Sequence, residues 1–163
     1  MKPSPAFDLV DHHGRRVVPA SFAPRHPLVF FGFTHCAVVC PRELAKLSRA
    51  LDLLGNAAED VQPIYVTVDP ARDTQERLRD YLAAYPRFLG LTGSAERIEQ
   101  AKASFRVFAQ PVADPGAPGG YRVPHTAISY LLTPAGEFAQ HFPASITAEE
   151  LSTKLRRHVH ESR

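Results

Sequence analysis

The residues with the most distinctive chemistry in this 163-residue chain are its two cysteines, Cys36 and Cys40, which are separated by three residues. Two thiolates about one helical turn apart can share one metal ion or close into a disulfide. Thiolates are soft ligands that prefer Cu(I), zinc or an iron–sulfur cluster to hard cations. Structural zinc takes four protein ligands, whereas two thiolates and one imidazole are enough for Cu(I). The pair therefore predicts either a copper site or a redox-active disulfide.

The apolar pattern predicts the elements that flank the cysteines. Residues 28–33 form a continuous apolar run, which is typical of a strand buried on both faces. Pro41 is favoured at the first position of a helix, and apolar residues recur after it at helical spacing until Gly55. Cys40 is then the predicted helix cap, where backbone N–H groups and the helix dipole favour a thiolate. Because ligands collect at the carboxyl ends of parallel strands, we expect both cysteines at the functional site.

The remaining elements alternate between strands and helices, with no linker that would divide the chain. The other predicted elements are an N-terminal hairpin at 7–10 and 15–18, a strand at 61–68, helices that begin near Asp73 or Thr74, at Ser94 and at Thr147, and a hairpin at 127–132 and 137–142. This order predicts an α/β fold, a thioredoxin-like sandwich with an N-terminal β-hairpin extension. We expect a single domain over residues 1–163, since this length is typical of one domain.

Eight histidines could supply an imidazole to the cysteine pair. His125 comes just before the predicted strand at 127–132. That strand is antiparallel to its neighbours in a thioredoxin-like sheet, so its beginning lies beside the cysteine loop, and this makes His125 the preferred third ligand. A hydrogen-bonded loop histidine is the alternative role. We expect His12 and His13 to occupy an exposed turn and not to bind metal.

Two acidic residues near the predicted site, Asp69 and Asp73, fit structural positions. Asp69 follows the strand at 61–68, where a turn is expected. Asp73 and Glu76 have the spacing of a capping box at the beginning of a helix. We therefore expect these aspartates to support the fold rather than to form a metal shell.

Composition excludes several classes of function. The chain is 44% hydrophobic and 22% charged, as globular domains are, and its formal charge of +2 is too small to predict binding to nucleic acid or to a membrane surface. No apolar run approaches the roughly 18 residues that a membrane span needs. We expect no nucleic-acid partner and no membrane span in this chain, although an anchor on a longer natural protein is compatible with it.

Four segments together resemble the Sco/SenC family of thioredoxin-like copper-delivery proteins in their order and spacing. They are FGFTHCAVVCP at 31–41, VTVDPARDT at 66–74, LGLTGS at 89–94 and YRVPHTAISYLLTPAG at 121–136. The resemblance implies that Cys36, Cys40 and His125 bind copper. It also implies a metallochaperone rather than an enzyme, whose partner is the subunit of cytochrome c oxidase that holds the dinuclear copper centre or another copper or thiol protein. Family members act on the outer, periplasmic face of a membrane, so an extracytoplasmic location is expected.

Three positions depart from the family pattern. The family commonly has CPDVCP, whereas Ala37 and Val38 stand here in place of Pro and Asp, and Pro124 stands in place of an Asp before the histidine. Carboxylates favour hard, dipositive ions, so their loss costs Cu(II) more than Cu(I). The sequence therefore predicts a site that prefers Cu(I) to Cu(II).

The main alternative is a thiol–disulfide oxidoreductase in which Cys36 and Cys40 reduce partner cysteines. The usual members of that class have CxxC and a Pro at the beginning of the later strand, where this chain has Ala127. A peroxiredoxin is disfavoured, because its cysteine loop requires a Thr where Ala37 stands and a Pro where Phe33 stands. A binding module without this chemistry is a third possibility.

Overall fold

The computed structural model describes residues 5–36, 39–107, 109–123 and 127–161. The strands are β1 (Leu9–Asp11), β2 (Arg16–Val17), β3 (His26–Gly32), β4 (Val61–Thr67), β5 (Leu89–Thr92), β6 (Val112–Ala113), β7 (Tyr121–Arg122), β8 (Ser129–Leu132) and β9 (Phe138–Phe142). The helices are α1 (Val39–Leu54), α2 (Gln75–Tyr81), α3 (Ala95–Phe105) and α4 (Ala148–Glu161).

Seven of the strands form one mixed sheet in the order β2-β1-β5-β4-β3-β8-β9. Strands β3, β4 and β5 are parallel, whereas β1 pairs antiparallel with β5, and β8 pairs antiparallel with β3. The N-terminal hairpin of β1 and β2 thus extends the sheet at one edge, and the β8–β9 hairpin forms the other edge. This arrangement confirms the predicted α/β sandwich with its N-terminal hairpin, and also the antiparallel direction of β8.

The central strand β3 is buried along its whole length because both faces of the sheet are covered. Side chains alternate along a strand, so Leu28 and Phe30 join the core shared with α1 and α4, while Val29 and Phe31 join the core on the α3 side. This two-sided burial explains why the sequence of β3 is a continuous apolar run rather than an alternating one.

Helix boundaries agree with the predicted caps except at two places. Thr147 and Glu150 form the expected capping box, in which each side chain accepts a hydrogen bond from the backbone N–H of the other. Thr74 alone caps α2 by accepting a hydrogen bond from Arg77 N at 3.2 Å, so the prediction that Asp73 with Glu76 forms a capping box is wrong. Helix α1 begins at Val39, so Cys40 lies within its first turn and is not its cap.

The prediction of an exposed turn at His12 is wrong. Only 9% of His12 is exposed, because the β1–β2 hairpin packs against β5. Its Nδ1 accepts a hydrogen bond from Gly90 N at 2.9 Å. The neighbouring His13 is exposed, as expected. A turn pattern reports the local backbone but not what the turn packs against, and for that reason the sequence did not indicate the buried imidazole.

Among the described residues, no helix combines the length and the apolar character that crossing a bilayer requires.

Candidate metal centre

The cysteine pair lies where β3 ends and α1 begins, at the carboxyl end of the parallel strands. Cys36 is partly buried, whereas Cys40, in the first turn of α1, is fully buried in the core. The backbone N–H of Cys40 donates a hydrogen bond to Cys36 Sγ at 3.4 Å, and Cys36 N donates to Phe33 O at 3.1 Å. The two thiols therefore lie together at the junction between β3 and the N-terminus of α1.

The two thiols have unequal environments. The hydrogen bond with Cys36 and the burial of the side chain raise the pKa of the Cys40 thiol. The N-terminal N–H of α1 points at Cys36 Sγ, where its partial positive charge favours a thiolate. The sequence placed this helix effect on Cys40. The structure moves it to Cys36, because Cys40 lies inside the first turn rather than at the cap.

Asp73 fixes the cysteine loop to the end of β4. Its buried carboxylate accepts hydrogen bonds from Thr34 N at 3.0 Å, from Thr34 Oγ1 at 2.6 Å and from Thr67 Oγ1 at 2.7 Å. Arg77 Nε, on α2, donates to the same Thr34 hydroxyl at 2.9 Å. Hydrogen bonds to a charged acceptor are stronger than those between neutral groups, so Asp73 holds the backbone two residues before Cys36 firmly in place.

Asp69 anchors the segment that leads toward residues 124–126. Its Oδ1 accepts a hydrogen bond from the Tyr121 hydroxyl at 2.8 Å, and its Oδ2 accepts one from Arg72 Nε at 2.5 Å. The Arg72 guanidinium also lies 3.7 Å from the centre of the Tyr121 ring. These contacts fasten β7 to the turn after β4, at the same end of the sheet as the cysteines.

One other group of described residues has the spacing of a metal site. Its potential ligand atoms lie within 4.8 Å of one another and belong to His35, Asp69 and Asp73. Both carboxylates already accept hydrogen bonds from the partners described above. Burial and the positive charges of Arg72 and Arg77 lower the pKa of His35, and the same charges oppose a dication. The structure thus supports the predicted structural roles of the two aspartates, except that Asp73 acts on the cysteine loop and not as a cap.

His125, the predicted third ligand, lies outside the described residues, as do Ala37, Val38 and Pro124. The strand that follows it is described. Ser129 pairs with Phe30, and β8 runs antiparallel to β3, so Ala127 and Ile128 lie toward the carboxyl end of β3. Ala127 and Ile128 are packed at the two core clusters that Cys36 also contacts. The chain on the C-terminal side of 124–126 therefore reaches the cysteine end of the sheet, while the ligand role of His125 stays a prediction.

Sequence reasoning missed two tyrosines beside the pair. Tyr65 on β4 and Tyr81 on α2 place their rings 5.8 Å apart and pack against the core cluster that contains Cys40. Tyr65 lies within the predicted strand at 61–68, and the apolar pattern of that strand does not single out its hydroxyl. A hydroxyl at the centre of an apolar run, where it must find a polar partner, was the signal that could have indicated it.

A family model described as SCO1/SenC matches residues 2–160. The human mitochondrial SCO2 homolog is 40% identical over 156 residues, which cover 94% of this chain. The chain spans 58% of the length of that protein and of two other curated relatives that it matches.

Two solved structures are similar over nearly the whole chain. The structure of Bradyrhizobium japonicum ScoI with copper bound has a TM-score of 0.86 and 36% identity, and the match covers 95% of this chain and 98% of that one. BsSco, a member of the Sco family of cytochrome c oxidase assembly proteins in which a disulfide switch was identified, has a TM-score of 0.74 and 26% identity, with coverage of 98% and 94%.

Proposed function

Because the chain belongs to the SCO1/SenC family, we propose that it is a copper chaperone that binds copper through Cys36, Cys40 and His125. The observation that carries the proposal is the pair of thiols at the carboxyl end of β3, with the Cys40 N–H donating to Cys36 Sγ. The copper-bound state of the ScoI relative supports the choice of metal. The acceptor that we propose is the dinuclear copper centre of cytochrome c oxidase, since BsSco belongs to the assembly proteins of that enzyme.

We propose that Cu(I) is the preferred oxidation state. Two thiolates and one imidazole form a soft ligand set that suits Cu(I). The carboxylates of Asp69 and Asp73 are engaged with Arg72, Tyr121 and the two threonines that Asp73 binds, and the buried Glu43 on α1 is paired with Lys46. These three described carboxylates already have partners, which supports a soft, sulfur-dominated ligand set.

The unequal burial of the thiols suggests an order of transfer. Cys36 is partly exposed and Cys40 is fully buried. An acceptor thiolate or imidazole that approaches from solvent can form its bond to copper while the Cys36–Cu bond breaks, and the Cys40–Cu bond breaks last. Copper keeps its charge throughout, and the released thiolates take up protons from solvent. Oxidation of the pair to a disulfide would remove both sulfur ligands and prevent binding.

The whole of residues 1–163 acts as one domain in this proposal, and the cargo and the acceptor meet at the cysteine end of the sheet. The proposed location is extracytoplasmic, either periplasmic or in a comparable compartment such as that of the mitochondrial SCO2 homologs.

Anaerobic Cu(I) titration of the reduced protein against a competing chelator tests the function. The wild type should bind one equivalent, and Cys36→Ser, Cys40→Ser and His125→Ala should each weaken binding at least tenfold. His13→Ala is a matched control, because His13 is an exposed histidine on the N-terminal hairpin, and it should bind as the wild type does. Wild-type affinity in His125→Ala would contradict the ligand set.

A thiol–disulfide oxidoreductase is the second candidate, and the helix N–H that points at Cys36 Sγ favours it, since the same contact stabilises an attacking thiolate. The disulfide switch identified in BsSco, which is 26% identical to this chain, also supports this candidate. Replacement of His125 distinguishes the copper chaperone from the oxidoreductase, because it should abolish copper binding and leave reduction of a model disulfide unchanged. A wild type that reduces disulfides but binds no Cu(I) would establish the second function in place of the first.

A further inference from the structure

Beneath Cys40 the core contains two phenols rather than only apolar side chains. Tyr65 is fully buried and pairs with Phe30 across β3 and β4, and its ring lies 5.8 Å from that of Tyr81 on α2. A Cβ atom placed on Gly32 would lie 2.6 Å from the Tyr65 hydroxyl oxygen. The hydroxyl therefore lies against the end of β3, directly under the loop that carries the cysteines.

The Tyr65 hydroxyl approaches the buried thiol. Tyr65 and Cys40 belong to one core cluster, a side-chain interaction joins the Tyr65 hydroxyl to the Cys40 sulfur, and Tyr81 packs on the Tyr65 ring. Among the described residues, neither hydroxyl has a hydrogen-bond partner of standard geometry. An unsatisfied buried donor destabilises a fold, so a phenol hydroxyl in this state beside a buried sulfur requires an explanation.

Copper binding changes what that sulfur can accept. A neutral thiol is a weak acceptor, whereas a thiolate carries a negative charge. Cys40 is inaccessible to water, and a buried anion is unstable unless hydrogen-bond donors surround it. The N–H of Cys40 is directed at Cys36. The Phe33 backbone and the Tyr65 hydroxyl both interact with the Cys40 sulfur, and Tyr65 is the one that contributes a side-chain O–H.

We propose that Tyr65, supported by Tyr81, is a positioning residue of the copper site, whose hydroxyl donates a hydrogen bond to the Cys40 sulfur once it is a copper-bound thiolate. The inference rests on the proposed copper function. Donation to a thiolate withdraws electron density from sulfur, which stabilises the lower oxidation state of the bound metal. Tyr65 thus adds a second cause for the preference for Cu(I), located in the core rather than at the missing carboxylates.

Tyr65→Phe removes one oxygen and keeps the ring, so it tests the hydrogen bond without leaving a large cavity. We expect Cu(I) binding to weaken about 10- to 100-fold, as is usual when a group that hydrogen-bonds a metal ligand is removed. Tyr81→Phe should have a smaller effect in the same direction. Tyr130→Phe is the control, because Tyr130 is also buried but packs on the α3 side of the sheet and should bind Cu(I) as the wild type does.

Two further readouts separate this role from a merely structural one. Thermal unfolding of the metal-free, reduced protein should show a midpoint in Tyr65→Phe that is equal to or higher than that of the wild type, because an unsatisfied hydroxyl is removed. In protein loaded with Cu(II), the sulfur-to-copper charge-transfer band should move to lower energy in Tyr65→Phe, since the sulfur regains electron density. Lower metal-free stability with an unmoved band would overturn the proposal.

Two outcomes distinguish the role of Tyr65 from the proposed copper function. If the wild type binds Cu(I) and Tyr65→Phe binds it equally tightly, this inference is wrong and the proposed function stands. If the reduced wild type binds no Cu(I), both are wrong.

Discussion

The backbone N–H of Cys40 donates a hydrogen bond to the Sγ of Cys36. Cys40 is buried in the first turn of α1, whereas Cys36 is partly exposed, so the N-terminus of the helix points at the more exposed thiol. This relationship makes the two thiols chemically different. Cys36 accepts a hydrogen bond from the helix N-terminus and is partly exposed. Cys40 is buried and interacts with the Tyr65 hydroxyl.

Alkylation should distinguish the two cysteines. With limiting iodoacetamide, the reduced, metal-free protein should be modified at Cys36 well before Cys40, because Cys40 is fully buried and its pKa is raised by the Cys36 hydrogen bond and by burial. Peptide mass spectrometry over a time course measures both rates. The same reaction in urea supplies the control, since unfolding should make the rates similar, and faster modification of Cys40 in the folded protein would contradict the asymmetry.

Asp73 should contribute more to stability than the neighbouring residue that caps α2. Asp73→Ala leaves three buried donors without an acceptor, and we expect it to lower the free energy of unfolding by about 3 kcal/mol. Thr74→Ala removes only a cap and should cost about 1 kcal/mol. Urea unfolding measures both. Equal losses would show that Asp73 does not hold the cysteine loop.

Acid should destabilise the fold through two buried histidines. Burial lowers the pKa of His12 and of His26 below the ordinary value of 6.5. In acid, the unfolded chain therefore binds protons that the native state excludes. The free energy of unfolding should be highest above about pH 6.5 and should fall as the pH drops below that value. Urea unfolding at a series of pH values measures the slope.

Variants assign this slope to individual residues. His12→Ala should be less stable at neutral pH, because Gly90 N loses its acceptor, and should show a shallower loss toward acid pH. His13→Ala replaces the exposed neighbour and should keep the wild-type slope. An unchanged slope in His12→Ala would exclude His12 as a source of the pH dependence.

Gly32 should tolerate no side chain. A Cβ there would lie 2.6 Å from the Tyr65 hydroxyl and 2.8 Å from its Cζ, so Gly32→Ala must displace the Tyr65 ring and should lower the free energy of unfolding by about 1–3 kcal/mol. Gly116→Ala is the control, because the nearest atom to its Cβ would be 3.5 Å away, and it should be nearly neutral. Chemical denaturation of both variants tests the close approach, and a neutral Gly32→Ala would disprove it.

Features that depend on neighbours along the chain could be predicted from the order of the amino acids. The apolar run of β3, the capping box at Thr147 and the two hairpins follow from local spacing, and the position of the cysteines between a strand and a helix follows from them. The antiparallel direction of β8 could also be predicted, because the order of the elements restricts the topology.

Long-range packing, in contrast, selects which of several equivalent residues contacts which partner. Asp73 and Thr74 are both good caps, and the contact of Asp73 with Thr34 depends on how α2 sits beside the cysteine loop. The burial of His12 depends on Gly90, 78 residues away. The place of Tyr65 under Cys40 depends on the register between β3 and β4, since a shift of one residue would turn its hydroxyl to the other face of the sheet. Such contacts join distant parts of the chain, and local spacing carries no information about them.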